Sequence, residues 1–328
     1  MIKIYAEFLI FSILIIYFGF KLSYYGQLIT ERGFLSKALF GVIFLAIVTS
    51  LPELITSISS VTAVDAPNMA VSDAIGSILF NVIILAFLDF IQGEGAILSV
   101  SNRSHILTAA ATIVMLGLIA LSIIYRTVTG FSPGLFHISC ESIILIMIYI
   151  FLIRSLYCHG QNNSDLKDKN PEKIHSLWIK FGIASLIVII SGYFLAKLGK
   201  EIVSLTGMSE TYVGLIFLAV VTSLPELIVS TSALKLGSVD MAVGNILGSN
   251  FFDTVIVPTT DICYLKNQLL STISISHTFT ITLCSVFLSI IICGLTYRSK
   301  KSFLKLGWDT IAIIIILILS LFFFYYIK

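Results

Sequence analysis

The stretch that decides the fold is Thr49-Ser50-Leu51-Pro52-Glu53-Leu54-Ile55, because it recurs in the second half of the chain as Thr222-Ser223-Leu224-Pro225-Glu226-Leu227-Ile228. A second match follows each copy. Ala70-Val71-Ser72-Asp73-Ala74-Ile75-Gly76-Ser77 aligns with Ala242-Val243-Gly244-Asn245-Ile246-Leu247-Gly248-Ser249. Seven identical residues do not recur by chance inside apolar sequence. The chain therefore contains an internal repeat of one structural unit.

The composition around these motifs is that of a membrane protein. Of the 328 residues 57% are hydrophobic and only 12% are charged, whereas a soluble domain carries roughly 25% charged residues. Charge-free windows such as Ile106–Tyr125, Phe181–Ala196 and Ile311–Ile327 approach the ~20 residues that span a bilayer as a helix. An open sheet would leave unpaired backbone groups in hydrocarbon. The predicted fold class is an all-α polytopic membrane protein.

The apolar windows predict ten transmembrane helices, at residues 4–20, 38–60, 70–90, 105–124, 138–156, 180–197, 211–233, 241–260, 276–296 and 307–327. One long polar stretch divides them into a first five-helix repeat at 1–157, a linker at 158–176 and a second five-helix repeat at 177–328. Because an odd number of helices separates the copies, the two repeats cross the bilayer in opposite directions. Inverted-topology repeats are typical of secondary transporters, whose sites lie near the midplane on interrupted helices.

The basic residues predict the orientation. When the loops are assigned alternately to the two sides, 14 of the 20 Lys and Arg residues fall on one side, together with the linker. Basic residues mark the cytoplasmic side. We therefore expect the linker to be cytoplasmic and both termini to lie outside, in a protein of the cell membrane.

Glu53 and Glu226 lie inside predicted transmembrane helices. A carboxylate at that depth costs about 2.5–3.5 kcal/mol on insertion scales, so it needs a partner. Neither half supplies a Lys or Arg near the motif in the sequence. A bound cation is the simplest partner.

The proline before each glutamate adds oxygen ligands. Pro52 and Pro225 have no N–H to donate, so the carbonyls of Val48 and Val221 lose their helical partner and each helix is expected to kink. In each copy the threonine and the glutamate are four residues apart and so share one helix face. Freed carbonyls, a hydroxyl and a carboxylate on one face are ligands for a hard cation.

The second motif repeats this arrangement in the third and eighth predicted helices. Ser77 and Asn81 share one helix face, as do Ser249 and Asp253, and a glycine before each serine permits close helix approach. The four helices would bring together the side chains Glu53, Asn81, Glu226 and Asp253. Calcium takes about 6–8 oxygen ligands. This set offers no nitrogen or sulfur ligand, which disfavours zinc, copper and iron.

Other polar residues have simpler explanations. A lone Ser or Thr in a membrane helix usually hydrogen-bonds to its own backbone, but recurrence at equal spacing in both halves favours a function here. Asp73 stands where the second half has Asn245, and it could bind an ion or cap a helix. Six further acidic residues fall near predicted helix ends, where solvated or capping roles are expected: Glu7, Asp65, Asp89, Glu94, Glu141 and Asp309.

At these motifs the chain resembles the calcium/cation antiporter superfamily, and specifically its sodium/calcium exchangers. The resemblance implies transported Ca²⁺ and Na⁺, no cofactor, four adjacent ion sites, and a first and a sixth helix that slide against the other eight. It also implies the backbone carbonyls of Ala46 and Ala219 as ligands, together with ten side chains: Thr49, Ser50, Glu53, Ser77, Asn81, Thr222, Ser223, Glu226, Ser249 and Asp253.

The chain departs from that family's pattern in three places. Val48 and Val221 stand where the family usually has glycine before the Thr-Ser pair, and Ser72-Asp73 replaces the usual Gly-Asn. The linker is too short for the calcium-sensing regulatory domains of animal exchangers.

Sodium is the expected coupling ion, because three carboxylates match three sodium ions and the hydroxyls suit sodium. A proton-coupled antiporter of the same fold is the nearest alternative. A channel is a further alternative, but paired inverted halves with buried carboxylates suit alternating access better than a conducting pore. A membrane-embedded hydrolase is a distant one, because the sequence has neither H-E-x-x-H nor G-x-S-x-G. We therefore expect a transporter and no enzyme. We also expect it to function as a monomer, with the lipid bilayer and calcium and sodium ions as partners and no nucleic acid.

Overall fold

The computed structural model describes residues 2–29, 38–93, 96–159, 171–299, 302–303 and 306–326. The regular structure in these residues is helical apart from two small hairpins. The first half contains α1 Ile2–Ile29, α2 Ala38–Thr49, α3 Leu51–Thr62, α4 Pro67–Gln92, α5 Ile97–Val100, α6 His105–Thr129, the hairpin of β1 Gly134–Leu135 with β2 Ile138–Ser139, and α7 Cys140–His159.

The second half repeats this order of elements. It contains α8 Pro171–Thr206, α9 Glu210–Tyr212, a π-helical segment at Val213–Leu218, α10 Ala219–Thr222, α11 Leu224–Lys235, α12 Val239–Cys263, α13 Leu269–Thr272, α14 His277–Tyr297, the hairpin of β3 Ser302–Phe303 with β4 Leu306–Gly307, and α15 Trp308–Tyr326. The repeated order extends the sequence repeat to the short helices and hairpins, which the apolar windows did not predict.

Six helical segments in the described residues are long and apolar enough to cross a membrane. They are Ile2–Gly26, Pro67–Gln92, His105–Thr129, His175–Thr206, Glu210–Lys235 and His277–Tyr297, and Trp308–Ser320 is a shorter apolar helix. The chain is therefore a helical membrane protein. Each of the ten predicted ranges contains helix. Of the predicted linker, residues 160–170 lie outside the described residues, and α7 and α8 extend into its two ends.

Each of the two motif helices is interrupted by one non-helical residue. The sequence had predicted a kink within a continuous helix at 38–60 and at 211–233. The break falls at Ser50, with φ −87° and ψ 11°, and at Ser223, with φ −86° and ψ 2°. Pro52 and Pro225 lie in the first turn of the next helix, where a missing N–H is tolerated. The same dihedral angles in both halves show that the repeated sequence encodes one local structure.

The helices form one large core and a separate pair. The large core lies mainly between α4, α6, α12 and α14. Helices α1 and α8 pack along each other and contribute to two smaller clusters, which contact the motif helices. Helices α1 and α8 contact the motif helices at glycine residues. A Cβ added at Gly19 would lie 2.6 Å from Cγ of Pro225, and one at Gly192 would lie 2.8 Å from Cγ2 of Ile55.

Two buried aspartates fix equivalent corners of the two halves. Asp89 accepts hydrogen bonds from the N–H groups of Ile97 at 2.7 Å and of Gly307 at 2.8 Å. Asp261 accepts from the N–H groups of Leu269 at 2.6 Å and of Ser139 at 2.8 Å. Each aspartate therefore joins the end of α4 or α12 to a short helix and a hairpin. Of the solvated and capping roles expected for Asp89, the structure shows the second, since Asp89 is buried and accepts the N–H of the first residue of α5.

The other acidic residues near helix ends are more varied. Asp309 is buried, and Glu141 forms an ion pair with Arg126. Hydrogen bonds from Lys266 and Tyr264 hold the pKa of Asp65 below its usual value. Glu7 is half-exposed and lies near Lys3, whereas Glu94 lies outside the described residues.

Candidate cation-binding site

Each broken helix crosses the long helix of the opposite half at a glycine. A Cβ added at Gly76 in α4 would lie 2.8 Å from Cβ of Ala219, and one at Gly248 in α12 would lie 2.8 Å from Cβ of Ala46. Carbon atoms in van der Waals contact are about 3.5–4.0 Å apart. Only glycine therefore allows these crossings, which place the motifs of both halves side by side.

The two glutamates exchange hydrogen bonds between the halves. Ser50 Oγ donates to Glu226 Oε1 at 3.2 Å, and Ser223 Oγ donates to Glu53 Oε1 at 3.0 Å. Both glutamates are at most 1% exposed. The serine at each helix break thus orients the carboxylate of the other half, and the two contacts are related by the internal repeat.

The threonines make a second reciprocal pair. Thr49 Oγ1 lies 3.0 Å from Ser249 Oγ and 3.4 Å from Asn245 Oδ1. In the other half, Thr222 Oγ1 lies 3.4 Å from Asp73 Oδ1. Each threonine contacts the second motif of the opposite half, so both motifs belong to one site.

The backbone carbonyls named by the family resemblance also lie in this site. The carbonyl oxygen of Ala46 is 3.0 Å from Thr49 Oγ1 and 3.4 Å from Ser249 Oγ, and that of Ala219 is 3.3 Å from Thr222 Oγ1. They differ from the carbonyls of Val48 and Val221, which the prolines were expected to release. In the structure the carbonyls beside the threonine hydroxyls belong to the two alanines and to Leu218, whose oxygen lies 3.0 Å from Thr222 Oγ1.

Asn81 and Asp253 meet across the repeat, since Asn81 Nδ2 lies 3.5 Å from Asp253 Oδ2. Ser77 behaves differently from Ser249. Its hydroxyl donates to the carbonyl of Asp73 in its own helix at 3.0 Å, the ordinary behaviour of a membrane-helix serine. Eleven of the twelve predicted residues therefore contact another member of the set. The hydrogen bond of Ser77 goes instead to Asp73, which was not in that set.

Four buried oxygens of this site have no hydrogen-bond partner. They are Glu53 Oε2, Asn81 Oδ1, Glu226 Oε2 and Asp253 Oδ1, one from each of four helices. Leaving a buried polar group unsatisfied costs about 1–3 kcal/mol, and more for a charged one. Of the ion pairs formed in the described part of the chain, none includes these three carboxylates. Four acceptors, three of them acidic, can be satisfied together by a cation.

Carboxylates alone do not make this site. No group of three or more His, Cys, Asp and Glu side chains in the described residues is close enough to hold a metal ion by itself. The acidic groups are separated by hydroxyl and amide groups, as the contacts of Ser50, Ser223 and Asn81 show. A cation here would use neutral oxygens as well as charged ones, which suits calcium and sodium better than a transition metal.

Asp73 is the site residue whose role the sequence left open. It is fully buried, and its carboxylate accepts hydrogen bonds from Thr56, from Ser57 at 3.3 Å and from Thr222 at 3.4 Å. It does not cap a helix end. The repeat offered a signal, because Ser57 and Asp73 correspond to Ser230 and Asn245, which are also hydrogen-bonded, at 3.1 Å.

Known proteins resemble the chain along its length. The family model described as sodium/calcium exchanger protein matches residues 3–157 and 176–327. Inner membrane protein YrbG of Escherichia coli is 25% identical over 252 residues, 75% of this chain and 75% of that protein. The uncharacterized membrane protein MJ0091 of Methanocaldococcus jannaschii is 28% identical over 247 residues, 74% of this chain and 76% of that protein.

Solved structures share the fold. A structure of the sodium-calcium exchanger NCX_Mj, soaked with 10 mM Na⁺ and zero Ca²⁺, matches with a TM-score of 0.62 at 22% identity, over 98% of this chain and 99% of that one. At this level of identity the match establishes the arrangement of the helices.

Proposed function

The chain belongs to the sodium/calcium exchanger protein family, and on that basis we propose that it is a secondary active antiporter that exchanges calcium for sodium. The observation that carries the proposal is the set of four buried, unpartnered oxygens on Glu53, Asn81, Glu226 and Asp253. They come from both halves of the chain, so one ion can bridge the halves.

Calcium is the divalent ion that suits this donor set. It takes about 6–8 oxygens from carboxylates, amides and carbonyls, and the site offers all three types together with hydroxyls. The donors in reach are carboxylates on Glu53, Glu226 and Asp253, the amide oxygen of Asn81, and the carbonyls of Ala46 and Ala219. The hydroxyls of Thr49, Thr222, Ser50, Ser223, Ser77 and Ser249 supply neutral oxygens for sodium.

Charge favours sodium as the counter-ion. Once calcium leaves, the carboxylates of Glu53, Glu226 and Asp253 repel one another in a buried site, and monovalent cations entering the hydroxyl-rich flanks relieve that repulsion. Two ions that need the same carboxylates cannot occupy the site together at full occupancy. Competition for shared ligands is what couples their transport. A proton could also neutralise a carboxylate, but proton coupling would give the hydroxyls of the paired threonines and serines no role in transport.

Alternating access requires a part that moves past the site. We infer ten membrane spans in two inverted five-helix repeats, with α1 and α8 as the moving pair. Helices α1 and α8 pack along each other, and they meet the motif helices at Gly19 and Gly192. Contacts through glycine leave a smooth surface for sliding. We further infer a monomeric unit in the cell membrane, with both termini outside and the linker in the cytoplasm.

The test is calcium uptake by the purified chain in proteoliposomes under an imposed gradient. An outwardly directed sodium gradient should drive calcium uptake, and sodium on the calcium side should inhibit it competitively. Uptake driven equally well by a pH gradient in sodium-free buffer would favour the proton-coupled alternative and contradict the assignment of sodium.

A further inference from the structure

The two halves of the site match closely except at one buried position. Thr49 and Thr222, Ser50 and Ser223, and Glu53 and Glu226 make equivalent contacts. Asp73 and Asn245 occupy equivalent places, but only Asp73 carries a carboxylate. A difference of one charge inside a buried cation site changes what the site must bind.

The hydrogen bonds around the two residues differ in direction. Asn245 donates from Nδ2 to Ser230 at 3.1 Å and accepts at Oδ1 from Thr49 at 3.4 Å. Asp73 has no proton of this kind to give, and it only accepts, from three hydroxyls. Two of those bonds go to Oδ2, whereas Oδ1 receives only the contact from Thr222. Oδ1 is therefore the less satisfied oxygen, and it is the one next to the site.

Three acceptor oxygens surround the hydroxyl of Thr222. Its Oγ1 lies 3.0 Å from the carbonyl oxygen of Leu218, 3.3 Å from that of Ala219 and 3.4 Å from Asp73 Oδ1. One hydroxyl proton can serve only one of these three acceptors at a time. Of these three acceptors, the carbonyl of Ala219 also accepts the N–H of Ser223 at 3.1 Å, whereas Asp73 Oδ1 has no other hydrogen-bond donor among the described residues. Glu53 Oε2, on the neighbouring motif, is also buried without a partner.

The backbone also departs from the repeat beside Asp73. Residues Val213–Leu218 are π-helical, with the N–H of Ala219 bonded to the carbonyl of Gly214, whereas the equivalent part of the first half belongs to the α-helix α2. A Cβ added at Gly214 would lie 2.7 Å from Cβ of Ser72 and 3.2 Å from N of Asp73. Single π-turns within helices are frequent at functional sites. The extra charge and the altered backbone coincide.

No basic side chain neutralises Asp73, because it takes part in none of the ion pairs among the described residues. A buried carboxylate without a counter-charge is strongly disfavoured. We propose that Asp73, with Thr222 and the carbonyls of Leu218 and Ala219, binds a monovalent cation, so that the counter-ions exchanged for each calcium carry one positive charge more than Glu53, Glu226 and Asp253 alone require. This inference rests on the proposed exchange function.

The test is the coupling ratio of the reconstituted chain. With the membrane potential held at zero, the sodium ratio at which net calcium flux stops is measured for several calcium ratios. The slope of the logarithm of the calcium ratio against that of the sodium ratio gives the number of sodium ions per calcium. Asp73→Asn, which places in the first half the residue of the second, should lower this slope by one. Asp73→Ser removes the same charge with a smaller side chain and should do the same.

Asp65→Asn is the matched control, since Asp65 lies between α3 and α4 and is paired with Lys266. It loses the same charge outside the site, and its slope should equal that of the wild type. An unchanged slope in either folded Asp73 variant overturns the inference and leaves the exchange function intact. Equilibrium binding of radioactive sodium to the purified chain tests the proposed subsite even if a variant does not transport calcium. The wild type should bind one ion more than Asp73→Asn, and equal numbers would refute the subsite.

Discussion

Gly76→Ala is the perturbation that tests the crossing of the two halves. The added Cβ would lie 2.8 Å from Cβ of Ala219, 2.9 Å from Cδ1 of Leu215 and 3.2 Å from the backbone Cα of Leu215. A rotamer change can relieve the contact with Cδ1, but the backbone atom can only move with its helix. The substitution must therefore push α4 away from α10 and the π-helical segment before it.

The magnitude follows from a comparison with Gly117→Ala. Gly117 lies inside α6, and a Cβ there would meet nothing within 4 Å. Both substitutions gain the same helix propensity, about 0.8–1 kcal/mol in soluble hosts. The difference in stability between the two variants thus isolates the overlap, which costs about 1–3 kcal/mol when a close-packed core is overfilled.

Thermal unfolding of the two purified variants in the same detergent measures this difference. We expect Gly76→Ala to melt several degrees below Gly117→Ala, at about 2–4 °C for each kcal/mol. Calcium uptake should fall with it, because Ser77 and Asp73 move relative to Thr222, while Gly117→Ala should transport like the wild type. Equal melting temperatures and equal uptake in the two variants would refute the close crossing at Gly76.

Two further predictions concern sodium and orientation. Ser249→Ala and Ser77→Ala should weaken the sodium dependence of uptake more than the affinity for calcium, since one neutral hydrogen bond is worth about 0.5–1.5 kcal/mol, or roughly two- to tenfold. Ser249→Ala should have the larger effect because the hydroxyl of Ser249 contacts the other half. If either variant lost more calcium affinity than sodium dependence, the assignment of these hydroxyls to sodium would be wrong. In a variant with Cys158 as the sole cysteine, impermeant thiol reagents should leave intact cells unlabelled, and strong labelling from outside would overturn the orientation.

The repeat carried most of the information that the sequence held about this fold. Identical motifs at matching positions implied two equivalent halves, and the reciprocal bonds of Ser50 with Glu226 and of Ser223 with Glu53 agree with that inference. The sequence could not say that each serine would bind the glutamate of the opposite half. That contact depends on how the helices cross, and the crossing depends on Gly76 and Gly248 packing against alanines far away in the chain.

Local backbone structure was harder to predict than helix location. Pro52 removes one helical hydrogen bond because it has no N–H, but a kink and the helix break at Ser50 have the same sequence signature. The π-helical turn at Val213–Leu218 has no counterpart in the first half, although both halves share a similar sequence there. Its position against Ser72 and Asp73 indicates that tertiary contact, more than local preference, selects it.

Short elements escaped prediction because apolar windows report only long helices. Helices α5 and α13 have four residues each, and the hairpin strands have two. Asp89 and Asp261 hold these elements by accepting backbone N–H bonds. An aspartate near the end of an apolar window is ambiguous between a solvated and a capping role, and only the fold shows which N–H groups it meets.

The central claim is that one calcium ion is held by carboxylates from both halves. The most direct test is sodium-gradient-driven calcium uptake by Glu53→Gln and Glu226→Gln, each checked for folding by size-exclusion chromatography and thermal unfolding. An amide keeps the shape of the side chain and removes one negative charge from the shell. Both variants should fold and both should lose exchange, to a similar extent because the two glutamates are equivalent by the repeat. Uptake near the wild-type rate in either variant would remove that glutamate from the site and contradict a site shared by the two halves.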